Sequence, residues 1–230
     1  MIDTTTICII PARAGSKGVP GKNMRLVNKR PLIDFTIEFA LNVFSADHIF
    51  FTSDDLSALE WAASKGIKTI VRPSVLALDE TPMLEVLKHA LSVIGDSYKR
   101  LVLLQPTSPL RQVTEIIDGM ALFDRTAADV VCSVSPIPVE QSPYLAMKEV
   151  DGCLAPVLTE GIPTRRQDCP TTYIRNGQFY IFGTEHVLNT KEIFRGKSVA
   201  FHTVAAGINI DSEADWEEFC NHVELKLASL

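Results

Sequence analysis

Three cations and three glycines crowd into ten residues of the stretch Pro11-Ala12-Arg13-Ala14-Gly15-Ser16-Lys17-Gly18-Val19-Pro20-Gly21-Lys22-Asn23. Glycine lets a backbone come close to a ligand, and N–H groups exposed in such a turn make a concavity for anions. Arg13, Lys17 and Lys22 add charge enough for a polyphosphate, and Ser16 and Asn23 add neutral hydrogen bonds, with Asn23 able to read a base or ribose edge. A solvated basic turn is the plainer reading. The glycines are not spaced as GxGxxG and the Gly-Lys pair is not followed by Ser or Thr, so the two commonest phosphate-binding loops are set aside.

Three more stretches carry chemistry. In Gln105-Pro106-Thr107-Ser108-Pro109-Leu110-Arg111, two prolines stiffen a polar array. Thr107 and Ser108 could instead cap the next helix, and Arg111 suits either a carboxylate in bidentate geometry or a plain helix start. Lys148, Arg165, Arg166 and Arg175, with Asn176 beside Gly177, supply further cations for an acidic ligand. Finally, Ile208-Asn209-Ile210-Asp211 precedes Ser212, Glu213 and Asp215. Read as a strand, it sets residues 209 and 211 on one face, where two oxygens could grip one cation. Capping of the helix that follows is the alternative for Asp211 and Ser212.

Those residues need a scaffold. Thr5 to Ile10 is a β-branched apolar run of the kind buried on both faces of a parallel sheet. A helix over Leu32 to Val43 follows from the spacing of Leu32, Phe35 and Phe39. The alternation continues with strand 48–52, helix 55–64 closed by Gly66, strand 68–71, helix 82–93, strand 101–105, helix 113–123 and strand 129–134. This β-α-β-α order predicts a doubly wound, mainly parallel, Rossmann-like α/β sheet whose ligands sit beyond the carboxyl ends of the strands. Residues 11–23, 53–55 and 106–111 fall there.

From Pro136 to Thr172 the rhythm breaks among six prolines, with a hairpin turn expected at Asp151-Gly152. A segment of that length without its own core packs on something else, so residues 136–172 read as an arm that reaches a second subunit or caps the site. Strands 178–182 and 198–202 and a helix over 212–227 complete one domain spanning residues 1–230.

Composition narrows the classes. The net charge of −6, without blocks of like charge, argues against a nucleic-acid partner. Five scattered cysteines, none in a CxxC or Cys/His cluster, argue against structural zinc and for a reducing, cytoplasmic setting. The short apolar run that ends at Pro11 fits neither a signal peptide nor a membrane span.

PARAGSKGVPGKN, LLQPTSPLR at 103–111 and YIRNGQFYIF at 173–182 together resemble, in the same order, the acylneuraminate cytidylyltransferases, the CMP-sialic acid synthetase family. The likeness runs over nearly the whole chain. It implies a nucleotidyltransferase-type fold, CTP and an acidic nine-carbon sugar as substrates, Mg2+, pyrophosphate release and a homodimer joined through the arm. It also implies that Ala12, Arg13, Gly15, Ser16, Lys17, Lys22 and Asn23 hold CTP and that Arg72 and Asp79 are candidates to read cytosine, although Arg72 could equally be a surface charge and Asp79 a helix cap. Gln105, Thr107, Ser108, Arg111, Arg166, Arg175 and Asn176 become candidates for the sugar, and Arg13, Lys22 and Asp211 for catalysis. The family sets two aspartates one residue apart on the metal, and here the first of those positions is Asn209, so the site loses one negative charge. Legionaminate, pseudaminate or an amino-Kdo are alternative sugars. An inactive nucleotide-binding relative and a glycosyltransferase are readings from other classes, the latter weakened because no DxD motif stands out.

Overall fold

The structure is a computed structural model that describes residues 3–15, 18–204 and 207–228. Among these, the strands and helices in chain order are β1 (Thr6–Pro11), β2 (Leu26–Val27), β3 (Arg30–Pro31), α1 (Leu32–Val43), β4 (Ile49–Ser53), α2 (Leu56–Ser64), β5 (Lys68–Val71), α3 (Met83–Ile94), β6 (Arg100–Leu103), α4 (Val113–Thr126), β7 (Val130–Pro136), β8 (Met147–Val150), β9 (Cys153–Pro156), β10 (Tyr173–Gly183), α5 (Thr184–Asn189), β11 (Ser198–His202) and α6 (Glu213–Ala228).

Seven strands form the central sheet in the order β11-β7-β10-β6-β1-β4-β5. All neighbours are parallel except β10, which runs antiparallel to both β6 and β7. β1 shows why its sequence is apolar throughout. Side chains alternate across a strand, so Cys8 and Ile10 enter the core beneath α1, α2 and α4, while Ile7 and Ile9 enter the opposite core with α3. α1 sends Ile33, Ile37 and Ala40 into the first core at helical spacing. The Cys8 and Cys132 thiols behave as small apolar groups, and burial pushes the Cys132 thiol up to about 11.

A third, smaller core of Val19, Val27, Leu32, Ile210, Trp216 and Phe219 pins the 18–27 loop and the 207–212 segment against α6. Burying each of its larger side chains contributes about 2 kcal/mol. That outweighs the ~0–1 kcal/mol expected of the exposed Arg25–Glu213 ion pair at the same seam.

The order of elements agrees with the sequence reading except that α5 and the short β2–β3 ribbon were not expected, and three further differences bear on the site. β10 extends from Tyr173 rather than 178, because the stretch holding Asn176-Gly177 is carried as a bulge: residues 176–179 face the single residue Ser133. Residues 207–211 form no ladder. They lie extended across the end of the sheet, held by the Ile210 N–H donating to the Thr107 carbonyl at 2.7 Å. Pro31 ends the short β2–β3 ribbon and is the N-cap of α1, one residue earlier than the first turn.

Residues 136–172 leave the sheet. β8 and β9 pair into a separate hairpin whose turn, Asp151 at φ 50° and Gly152 at φ 75°, is the expected two-residue type. Among the described residues, no helix is long and apolar enough to cross a membrane.

Candidate active site

The carboxyl ends of β1 and β6 flank the point where the strand order reverses, and a cleft of about 300 Å³ opens there. Pro11, Ala12, Arg13, Gly18, Lys22, Asn23, Arg72, Met83, Gln105, Pro106, Thr107 and Asp211 line it. The glycine-rich loop, the end of β5 and the proline-stiffened loop after β6 thus meet around one space.

Cations dominate the first wall. Arg72 is buried and donates to the Ala12 carbonyl, with Asp54 Oδ1 at 3.8 Å. Desolvation lowers its pKa, opposed by Asp54 and reinforced by Arg13. Its Nε is buried without a hydrogen-bond partner among the described residues. Asp54 also accepts from the Ala14 N–H at 3.0 Å, so one carboxylate braces both the loop and Arg72. Asn23 donates from Nδ2 to the Arg13 carbonyl at 2.9 Å. Arg13 pairs with Asp79.

Buried Lys22 donates from Nζ to the Ile210 carbonyl and lies 3.3 Å from Asp211 Oδ1. Gly18 permits this junction: a Cβ there would stand 2.0 Å from the Asp211 carbonyl oxygen. Gly15 lies on the exposed outer part of the loop, and Ser16 and Lys17 lie outside the described residues.

The second wall is different in kind. Gln105 and Met83 are shared with an adjoining cavity of about 280 Å³, which Leu103, Arg175, Tyr180, Phe182, Ile193 and Phe194 complete. Arg175 lies over the Phe194 ring at 4.2 Å. A cation at the mouth of an aromatic cavity suits a ligand with a carboxylate at one end and an apolar group at the other.

The remaining candidates hold the walls. Ser108 donates to Asn209 Oδ1 at 3.2 Å, and α4 takes Gln112 as its N-cap, so neither Thr107 nor Ser108 caps that helix. Arg111 is not among the cleft's lining residues. Its guanidinium donates to the backbone carbonyls of Gln105 and Gln178 and, at 3.1 Å, to Thr36 Oγ1, tying the loop after β6 to the bulge in β10. Desolvation pulls its pKa down to about 9. Asn176 donates to Ser135 Oγ at 2.9 Å and Thr203 Oγ1 at 2.7 Å, which fixes the bulge from the far side. Arg166 sits on the arm, paired with Glu140.

Asn209 and Asp211 converge although their segment is no strand: the Asn209 amide donates to Asp211 Oδ2. Ser212 and Asp215, not Asp211, make the reciprocal cap of α6, with Asp215 Oδ2 accepting from the Ser212 N–H at 2.7 Å and from the Asp211 N–H at 3.0 Å. The Ser212 hydroxyl, then these N–H groups, hold the Asp215 carboxyl below its usual value. Sequence reasoning put Asp54 in the 53–55 stretch expected at the site but gave it no role of its own. It assigned none to Met83, Phe182, Ile193 and Phe194, whose apolar side chains carry no signal that separates a cavity lining from core.

Comparison with known proteins places the chain among relatives. A family model described as cytidylyltransferase matches residues 7–198. The N-acylneuraminate cytidylyltransferase of Escherichia coli O18:K1:H7 is 33% identical over 215 residues, 93% of this chain and 51% of that protein. The CMP-N,N'-diacetyllegionaminic acid synthase of Legionella pneumophila is 30% identical over 219 residues, 91% of this chain and 92% of that one. The chain spans about half the length of the N-acylneuraminate relatives. The solved structure of CMP:2-keto-3-deoxy-manno-octonic acid synthetase with CTP superposes with a TM-score of 0.75 at 16% identity, covering 97% of this chain and 100% of that one, a likeness of fold. With a family model spanning β1 to the start of β11 and relatives aligned over nine-tenths of its length, the chain belongs to the cytidylyltransferase family.

Proposed function

We propose that the protein transfers CMP from CTP to the anomeric hydroxyl of an acidic nine-carbon sugar, N-acylneuraminate or a close relative, and releases pyrophosphate. The observation that carries this reading is the pairing of two unlike spaces at Gln105 and Met83: a cationic cleft on the glycine-rich loop and an aromatic cavity topped by Arg175. Named relatives act on N-acylneuraminate and on N,N'-diacetyllegionaminic acid, which share that sugar class.

The triphosphate lies along residues 12–22, with Lys22 and Arg13 exchanging their carboxylate partners for phosphate oxygens. The Arg13–Asp79 pair is about a third exposed on each side and worth only about 0–1 kcal/mol, and the Lys22–Asp211 contact, buried at Lys22, opens on the cleft through the exposed Asp211, so a polyphosphate entering the cleft competes for both cations. Arg72, which lines the cleft at the end of β5, faces the base or the ribose. Gln105 and Arg175 orient the sugar, Arg175 through its carboxylate. The sugar hydroxyl then forms a bond to the α-phosphorus in line as the bond to pyrophosphate breaks, and the hydroxyl proton passes to solvent. Positioning and charge neutralisation lower the barrier.

The donor set fits a hard divalent cation such as Mg2+, because Asp211 opens on the cleft with its side chain 66% exposed and phosphate oxygens would complete the shell. When bound, such a cation neutralises phosphate charge and polarises the α-phosphorus.

The arm supports a homodimer. Its hairpin exposes Met147, Val150 and Leu154, and a lone two-stranded hairpin is marginal in water without a surface to rest on. A second copy covers it, with Lys148 or Arg166 directed to the neighbour's cleft. Mass measurement in solution is expected to give twice the chain mass; a monomer would reject the pairing.

Incubation with CTP, Mg2+ and a panel of N-acylneuraminate, legionaminate, pseudaminate and eight-carbon acids tests the activity. Pyrophosphate should appear with a nine-carbon acid; release with none of them would leave a nucleotide-binding relative without catalysis.

A further inference from the structure

One polar knot below the cleft has more structure than a metal site needs. Asn209 uses both ends of its amide: Nδ2 donates to Asp211 Oδ2, and Oδ1 accepts from Ser108 Oγ at 3.2 Å. The reverse orientation would set an amide oxygen against a carboxylate, so donor and acceptor matching fixes the amide nitrogen toward Asp211. The other carboxylate oxygen, Asp211 Oδ1, faces Lys22 Nζ at 3.3 Å. Both oxygens of Asp211 therefore meet donors before any ligand arrives.

The neighbouring carboxylate is already engaged as a cap. Asp215 Oδ2 is taken by the Asp211 N–H, the Ser212 N–H and the Ser212 hydroxyl, at 3.0, 2.7 and 2.7 Å, and leaving would uncap α6. Among the described residues, no group of three His, Cys, Asp or Glu side chains could hold a metal ion. The charge on Asp211 is also balanced by Lys22, so a cation approaching the free protein meets a neutral pair. That changes only when a phosphate chain draws Lys22 away.

We propose that Asn209 is a positioning residue rather than a metal ligand: it holds Asp211 as the sole carboxylate of a site that takes a divalent cation only together with a nucleoside triphosphate. This rests on the nucleotide reading given above. The amide orients the carboxylate, Ser108 orients the amide, and Gly177 leaves room for both, since a Cβ there would stand 2.7 Å from Ser108 Oγ and 3.6 Å from Asn209 Oδ1. The physical consequence is ordered assembly, in which metal arrives with the nucleotide or after it.

The test uses Mn2+ as the probe, read by the spectroscopic signal of free Mn2+ in the absence of sugar. Wild-type protein without nucleotide should show no saturable site, and adding CTP should create one with Mn2+ enhancement beyond that of CTP alone. Asn209→Asp, which supplies a second carboxylate, should bind Mn2+ without nucleotide at least about tenfold more tightly than wild type. Asn209→Ala should gain nothing. Saturable Mn2+ binding by nucleotide-free wild type overturns the proposal, and so does a folded Asn209→Asp variant with no gain. If the variant fails to fold, wild type decides alone, because a saturable site without CTP rejects obligate coupling. Failure of CTP to bind at all would instead strike the nucleotide reading, while the nucleotide-free comparison would still stand.

Discussion

The two walls of the cleft are built by opposite means. The wall on β1, β4 and β5 comes from loops that follow parallel strands, and its cations are held by nearby carboxylates and carbonyls: Arg72 by Asp54 and Ala12, Lys22 by Asp211 and Ile210. The wall on β6 and β10 is apolar and aromatic, carries Arg175, and owes its shape to a bulge in the one antiparallel strand of the main sheet. A charged polyphosphate needs exchangeable cations and exposed N–H groups; a sugar bearing one carboxylate and an acyl group needs a shaped pocket. In the proposed reading each wall takes one substrate, and substitutions on either side should separate the two affinities.

The largest effect belongs to Lys22→Ala. Without an ammonium to neutralise the phosphate chain, turnover should fall about a hundredfold or more while the melting temperature stays within a few degrees; unchanged pyrophosphate release would remove Lys22 from the phosphate site. Arg175→Ala should raise the KM for the acid sugar about tenfold or more, the loss of a charged hydrogen bond, and leave the KM for CTP unchanged. A parallel rise in both constants would erase the division between the walls. Gly177→Ala forces an alanine to φ 73° with Ser108 Oγ 2.7 Å from the new Cβ. It should cost about 1–3 kcal/mol of stability and weaken the sugar more than CTP. The smallest shift is expected from Asp79→Asn. Releasing Arg13 from a pair worth at most ~1 kcal/mol should tighten CTP up to about fivefold; weaker binding would mean that Asp79 itself touches the nucleotide.

The nucleotide wall was legible in the sequence because its signal is local. Glycines, lysines and an arginine within one loop after an apolar run state their chemistry without knowledge of the fold, and α1 and β5 matched their expected bounds residue for residue. The wall proposed for the sugar was only half legible. Arg175, which lines the cavity, was singled out, but Phe182, Ile193 and Phe194 were not, because a side chain lining a cavity and one packed in the interior have the same composition. Arg111 shows the converse: an arginine in a polar motif looks like a ligand contact, yet it holds two backbone carbonyls 73 residues apart in sequence, those of Gln105 and Gln178. Such a role depends on which loops the topology brings together. Asn209 was legible as a departure from the resembling pattern; that its amide turns its nitrogen toward Asp211 could come only from the geometry with Ser108.

A crystal structure of the protein with CTP addresses the central claim most directly. The account predicts β- and γ-phosphates against the 13–22 loop, with Lys22 Nζ moved from Asp211 onto a phosphate oxygen. A triphosphate seated elsewhere, with the Lys22–Asp211 pair undisturbed, would contradict it.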